Sequence, residues 1–476
     1  MGYTEKVVVI GAGISGLACA YRLKQLGIQC LVLEAKERAG GVIATIRRNG
    51  FLFEVGPQCP RFPPSVWRLV RDLNLDSKFV PGDPKAKRYI VRDGRLHAAP
   101  FSPNGLITTR LVGLGSKFRI LTEAFGSSRP PLREESLAEF VQRKFGLEVL
   151  DYLVDPLIST IFFGDAAKMG MESAFPALVE WERNQGSLIR GAIRTRKSKR
   201  NTNTSNGSSA PSRSNAKRST LHVTDALPSL GSFTSGMATL AEKHAEELQP
   251  EIRYKTEIRS VAPLQNDNGA SKAAWELGLA NGEKIATENL VLAVPAYVAA
   301  QFLANNVPQL SWPLQAIEYT AMCAVSSAYN RSHVAHSLDG FGFMVPRREG
   351  LQTICTFWNS SLFPRRAPEG KVLITSFART EMTEEECAQT VESENAGTLG
   401  ITGRPLDRVV WKDSRALPQY NVGHAQRVSE IDGILPSLPN LYLAGNFLRG
   451  RSIGDCVETA FRVASDLHRN VRGNDI

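Results

Sequence analysis

Long apolar runs are missing from this 476-residue sequence. The best candidate, residues 290–300, is interrupted by Pro295 and falls short of the ~20 residues that a membrane-spanning helix needs. No transmembrane helix is expected. Cysteine is sparse and scattered: Cys19, Cys30, Cys59, Cys323, Cys355, Cys387 and Cys456 form no C-x-x-C pair and no regular spacing. That pattern argues against a zinc site and against a disulfide framework, so reduced thiols and no metal are expected. The first strand starts near Lys6, which leaves no room for a signal or transit peptide and points to a cytoplasmic location. Acid is absent from one stretch: between Arg190 and Thr220 there are nine Lys and Arg residues and no Asp or Glu. Most of the formal charge of +10 lies there, since the rest of the chain carries 48 basic against 47 acidic residues. A nearly neutral body excludes nucleic acid as the expected partner. The basic stretch is Ser/Asn-rich and almost without large apolar side chains, so 196–220 reads as a disordered insertion; contact with anionic lipid or another acidic surface is the alternative.

What is present begins at residues 6–16, KVVVIGAGISG. Val7, Val8, Val9 and Ile10 suit a strand buried on both faces of a parallel sheet, and Ile14, Leu17, Ala18 and Tyr21 recur at helical spacing. The glycines fall at the turn between them. Gly11 permits the bend, Gly13 lets a pyrophosphate approach the backbone, and Gly16 lets helix and strand pack closely; Ala12, Ile14 and Ser15 complete the loop. The helix N-terminus offers unpaired N–H groups to the anion. A second strand, residues 30–33, ends in Glu34, 18 residues after Gly16, where a dinucleotide fold places a carboxylate on ribose hydroxyls. That carboxylate would repel a 2′-phosphate, which disfavours NADP.

Further motifs carry a resemblance. Arg38-Ala39-Gly40-Gly41, with Val42 behind it, and Phe51 to Gly56-Pro57 are similar to the flavin-containing amine oxidase superfamily, in which R-x-G-G follows the ribose carboxylate and G-P lies near the flavin. FAD is therefore expected in preference to NAD. A helix is expected over 65–75, then a hairpin over 85–96 turning at Asp93-Gly94. Its K-R-Y-I-V…G pattern resembles the oxygen-dependent protoporphyrinogen/coproporphyrinogen oxidases, and the resemblance assigns Arg88 to a substrate propionate, a fitting task for a guanidinium in a partly dry pocket. Residues 155–165 and 174–178 resemble the same family's [DE]-P-F-x-x-G-x-x-x-G-[DN]…F-P-x-L, with Thr160 standing where a glycine beside the substrate is common. Residues 231–240 resemble its F-x-G-G-M-x-x-L, and Ile258 occupies the position that meets the adenine end in relatives. Residues 338–346 and 361–368 are similar to G-F-G-x-L-V-P and F-P-x-R-A-P; the match assigns Phe341, Met344, Ile354 and Phe377 to the walls of a tetrapyrrole pocket. Arg379-Thr380 departs from the usual Gly-Gly. Finally, 444–458 resembles A-G-N-[FY]…G…I-x-D-C-[IV]-E, which implies that Asn446, Arg451, Ser452 and Ile453 touch FAD and that the helix opening there aims its positive end at the flavin. Asp455 is placed as that helix's N-cap.

The expected architecture is α/β: a Rossmann-like FAD-binding domain in three pieces (1–92, 221–300, 409–476), a helical and membrane-associated or cavity-covering subdomain (93–195), the insertion (196–220) and a mixed-sheet substrate domain (301–408). Of the two roles for the helical part, covering the cavity is the preferred one, because apolar stripes usually face a core. The resemblance implies oxidation of protoporphyrinogen IX or coproporphyrinogen III to the porphyrin, by hydride loss to flavin from a methylene bridge in three rounds, with O2 giving H2O2. It identifies no side-chain acid or base. It leaves open a homodimer and a peripheral contact with the inner face of a membrane. An amine or carotenoid-type flavin oxidase and a non-catalytic flavoprotein are the alternatives.

Overall fold

The computed structural model describes residues 4–126, 131–194, 230–264, 274–379 and 382–473. The basic insertion and Thr380 lie outside the described residues. Strand β1 (Thr4–Ile10) is central to a seven-stranded sheet, with Leu31–Leu33 and Ile252–Arg253 on one side and Lys284–Leu292, Trp275–Leu279 and Ile258–Pro263 on the other; Leu441–Leu443 also pairs with Lys284–Leu292. The pairings around β1 are parallel, whereas 258–263, 275–279 and 284–292 form an antiparallel meander. Both faces of β1 are buried, as its uninterrupted β-branched run requires. Val7 and Val9 join the cluster under helix α1 (Ile14–Gln25) and the C-terminal helix Ile453–Gly473. Val8 and Ile10 join the cluster under Ala296–Leu303, Pro308–Gln315 and His424–Ile434. Pro295 interrupts the apolar run 290–300: the strand stops at Leu292 and the proline caps the next helix.

A second seven-stranded sheet runs in the order Asp407–Pro418, Tyr319–Asn330, Lys371–Ala378, Thr353–Phe357, Gly342–Met344, Arg88–Arg92, Arg95–Ala98. The hairpin turns at Asp93-Gly94, both at positive φ (54° and 68°). Its first strand pairs in parallel with Gly342–Met344, so this sheet takes residues from either side of the expected domain boundaries at 92 and 408.

The described residues between 103 and 185 are mostly helical, in short pieces from Pro103–Thr108 to Pro176–Gln185. Leu137, Phe140, Val141 and Ile158 make a core of their own. The expectation that the apolar stripe after Leu106 covers the cavity fails in part: Leu111 and Val112 are buried, but helix Leu114–Thr122 buries none of its residues. Phe101, Ile107, Leu114, Phe118, Leu121 and Phe125 are each more than half exposed. Among the described residues no helix is long and apolar enough to cross a membrane, and all seven cysteines are free.

Candidate active site

The turn after β1 has the stereochemistry of a phosphate cradle. Gly11 sits at φ +100°, and a Cβ there would lie 2.6 Å from the Ala293 carbonyl oxygen; a Cβ on Gly16 would lie 1.9 Å from the Gly11 carbonyl oxygen. Gly13 differs. Its φ of −70° suits any residue, and a Cβ would meet nothing within 4 Å, so its lack of a side chain leaves open space in front of the helix N-terminus. No side chain caps α1 and no acid stands in its first turn, which leaves its N–H groups and partial positive charge for an anion. Ile14 is partly buried beneath the loop and Ser15 fully so. Glu34, buried at the end of Leu31–Leu33, accepts N–H bonds from Ala12 (2.7 Å) and Lys36 (2.9 Å), which ties the carboxylate to the turn. The next loop folds over this one. Gly40 donates to the Ala12 carbonyl (2.8 Å), a Cβ on Gly41 would come 3.4 Å from the Gly13 Cα, and Arg38 braces the loop by donating to the Gly41 and Ile43 carbonyls. Gly56 presses on Val42, where a Cβ would lie 2.3 Å from the carbonyl oxygen; Pro57 follows, partly buried. Ile258 is buried in the cluster with Ile10 and Leu33.

Beside Lys284–Leu292, Leu441–Leu443 leads to Asn446, whose carbonyl accepts the Tyr420 hydroxyl (2.9 Å). The cap of the final helix corrects the expected one. Ser452 is the N-cap, its Oγ accepting the Asp455 N–H (3.1 Å) while the Asp455 carboxylate accepts the Ser452 N–H (2.9 Å): a reciprocal box in which Asp455 is the third helical residue. Ile453 is buried beside Val457. The Arg451 side chain, assigned to FAD by position, is engaged by protein groups through Nη1, while its Nη2 is buried with no hydrogen-bond partner among the described residues. Its guanidinium lies 4.1 Å from the Phe162 ring centroid and 4.9 Å from that of Tyr420, and donates to the Pro418 (3.0 Å) and Phe162 (3.3 Å) carbonyls. Burial lowers its pKa to about 10.

The face of the second sheet turned to the helical segment gathers most of the residues assigned to substrate. Met344, Ile354 and Phe377 share one buried cluster with Ile90 and Met322, and Leu157, Phe163 and Phe357 pack against it. Aromatic rings continue across it, Phe341 to Phe357 (5.6 Å), Phe357 to Phe377 (5.8 Å) and Phe377 to Phe163 (5.0 Å). Arg88 closes one end, its guanidinium 4.4 Å from the Phe341 ring centroid. It has no ion-pair partner among the described residues, and burial depresses its pKa. At the other end lies a cavity of about 520 Å3, lined by Ser159, Phe163, Gly164, Thr320, Ala321, Arg347, Gln352, Ile354, Arg379 and Met382. Thr160 does not line it; its hydroxyl is buried against the Cys355 thiol, whose pKa burial pushes up to about 12. Sequence reasoning missed Phe163, Phe357 and Arg347 as parts of this face, and noted Arg379 only as a departure. Their signal was present as alternation along the strands, which places Phe357 and Phe377 on the face that carries Met344.

The comparisons agree with this geometry. A model of the flavin-containing amine oxidoreductases matches residues 14–468. Protoporphyrinogen oxidase 1 of Arabidopsis thaliana chloroplasts is 30% identical over 98% of this chain and 88% of its own length. Coproporphyrinogen III oxidase of Bacillus subtilis is 26% identical over 97% of both chains. A crystal structure from Exiguobacterium, assigned as a protoporphyrinogen oxidase, superposes with a TM-score of 0.78 over 99% of this chain and all of its own at 23% identity, a likeness of fold. The chain belongs to the flavin-containing amine oxidoreductase family, on the branch of the protoporphyrinogen/coproporphyrinogen oxidases. Its cofactor is FAD, which the empty space at Gly13, the uncapped helix and the tethered Glu34 fit.

Proposed function

We propose that the protein oxidises a porphyrinogen, protoporphyrinogen IX or coproporphyrinogen III, to the porphyrin, with O2 as terminal acceptor and H2O2 as by-product. The single observation that carries the reading is the apolar, aromatic-lined sheet face closed at one end by Arg88, a guanidinium in no ion pair among the described residues. A flat macrocycle with apolar faces and carboxylates on its rim needs such walls and such an anchor. Bound FAD supplies the hydride-accepting chemistry. Gly11 to Gly16 and Glu34 would hold its pyrophosphate and ribose, Gly41, Val42, Gly56 and Pro57 would shape the floor beside it, and the backbone of Asn446 to Ile453 would close the far side. Arg38 braces that floor and Ile258 backs the adenine end. On the substrate side Phe341, Met344, Ile354 and Phe377 clamp the ring and Arg88 fixes its orientation, so the protein acts by position and by excluding water rather than through a dedicated side-chain base. Thr160 would narrow the wall from behind Cys355. The test is turnover by purified FAD-loaded protein: porphyrin fluorescence should appear with either porphyrinogen and no aldehyde should form from putrescine. Amine oxidation alone would overturn the reading.

A peripheral membrane contact belongs to the same proposal. Six exposed apolar side chains, from Phe101 to Phe125, stand beside exposed Arg110 and Arg119, an arrangement suited to an anionic lipid surface.

A further inference from the structure

Arg88 and Arg379 stand at opposite ends of one sheet face. Arg88 pairs across Gly342 to Phe357, and Cys355 pairs with Phe377, two residues before Arg379. The ladder continues one step further, through the Arg379 N–H to the Gln352 carbonyl (3.1 Å). Five residues of extended chain separate Phe357 from Gln352, about 16 Å along the strands, and three strand spacings, about 14 Å, separate the two arginines across the sheet, so their backbones are on the order of 20 Å apart. Alternation puts Arg379 on the same side as Phe377, and it lines the 520 Å3 cavity together with Arg347.

The acids around Arg379 are already engaged. Asp155 takes the Arg347 Nε (3.2 Å) and backbone N–H (2.9 Å), Asp165 stands 4.0 Å from Arg347, and Glu394 accepts the Gln352 and Thr353 N–H groups (2.8 Å each). Arg379 itself donates through Nη1 to the Leu351 carbonyl (2.9 Å), while its Nη2 is buried with no acceptor and no carboxylate lies within ion-pairing distance among the described residues. A half-satisfied, partly buried guanidinium costs stability unless an anion completes it.

We propose that Arg379, backed by Arg347, receives a substrate carboxylate on the rim opposite Arg88, and so selects porphyrinogens with propionates on opposite sides of the ring. Coproporphyrinogen III has a propionate on each pyrrole; protoporphyrinogen IX has two on adjacent pyrroles and vinyls facing them. Arg88 alone can hold either. The Arg88–Arg379 pair favours the tetracarboxylate. This inference rests on the porphyrinogen reading above and goes beyond it by choosing between its two substrates.

The experiment compares kcat/KM for the two porphyrinogens in FAD-loaded wild type, Arg379→Ala and Arg379→Lys. Wild type should prefer coproporphyrinogen III. In Arg379→Ala the preference should fall about ten- to a hundred-fold, the range expected for one charged hydrogen-bond partner, chiefly through KM for the tetracarboxylate, and Arg379→Lys should restore part of it. A ratio unchanged in a variant with wild-type FAD content would overturn the inference, as would a wild type that prefers protoporphyrinogen IX. Binding of coproporphyrin III and mesoporphyrin IX to the same three proteins, followed by porphyrin fluorescence, gives a readout without turnover. Wild type that binds the tetracarboxylate through Arg379 yet oxidises neither porphyrinogen would sink the functional reading and keep the site; turnover with no dependence on Arg379 in either assay would do the reverse.

Discussion

At the scale of single residues, Arg88 carries the heaviest assignment. Its guanidinium rests on Phe341 and makes no ion pair among the described residues, so Arg88→Ala removes a ligand contact without breaking an internal ion pair. Substrate use should weaken by about ten- to a hundred-fold in kcat/KM, mainly through KM, while bound FAD stays at the wild-type level. Unchanged porphyrinogen kinetics would remove Arg88 from the site. Two buried histidines set a pH dependence. His424 stacks on Tyr420 at 4.2 Å with Nε2 3.1 Å from the Leu448 carbonyl oxygen, and burial lowers its pKa to about 4; buried His244 is lowered to about 4 in the same way. Between pH 6.5 and 4 the unfolded chain binds protons at these positions that the folded chain refuses, so stability falls as the pH falls through this window. The loss at pH 5 should be about 2 kcal/mol for each histidine. A melting temperature that is flat from pH 7 to pH 5 would contradict this. Sequence reading reached Arg88 because it sits inside a recognisable strand motif. It noticed Arg379 as an oddity without a role, since a role required knowing that the strand before it lies between Thr353–Phe357 and Tyr319–Asn330.

At the scale of elements, the strand–turn–helix at the N-terminus separates two kinds of glycine. Gly16→Ala forces a Cβ to 1.9 Å from the Gly11 carbonyl oxygen and should cost both folding and flavin. The Cβ of Gly13→Asp would meet no atom within 4 Å outside its chain neighbours and needs no unusual φ, so the apoprotein should fold; its carboxylate would instead oppose the pyrophosphate and empty the site of FAD. Flavin absorbance per protein, with circular dichroism melting of each variant, distinguishes the two losses, and full FAD in Gly13→Asp would refute the cradle. This element was legible because its β-branched run, glycines and helical period agree with one another. Strand Asp407–Pro418 was not: DRVVWKDSRALP is charged and nearly all partly exposed, so it lacks the apolar pattern that marks a strand and is set by pairing with Tyr319–Asn330. Residues 251–261 form two strands rather than one, Ile252–Arg253 and Ile258–Pro263, with Lys255 at φ 54° between them.

At the scale of the whole molecule, the open question is which surfaces meet other phases. Helix Leu114–Thr122 and its neighbours present Leu114, Phe118, Leu121 and Phe125 outside every core among the described residues, which periodicity could not reveal because a stripe facing lipid and a stripe facing a core have the same spacing. Phe118→Asp combined with Phe125→Asp should reduce sedimentation with anionic vesicles while leaving porphyrinogen turnover in detergent-free solution as in wild type; equal sedimentation of both proteins would dismiss the contact. Deleting residues 197–217, which contribute no large apolar side chain, should leave activity intact and weaken vesicle binding if the basic charges assist it. The two sheets, the glycine cradle and the Arg88 face together make one claim: that this chain takes a porphyrinogen to a porphyrin at the expense of oxygen. Porphyrin formation is a six-electron oxidation, so an oxygen electrode and a peroxide assay run together with porphyrin fluorescence on the FAD-loaded protein test it most directly. The account predicts three O2 consumed and three H2O2 released for each porphyrin formed; oxygen uptake with putrescine and none with either porphyrinogen would contradict it.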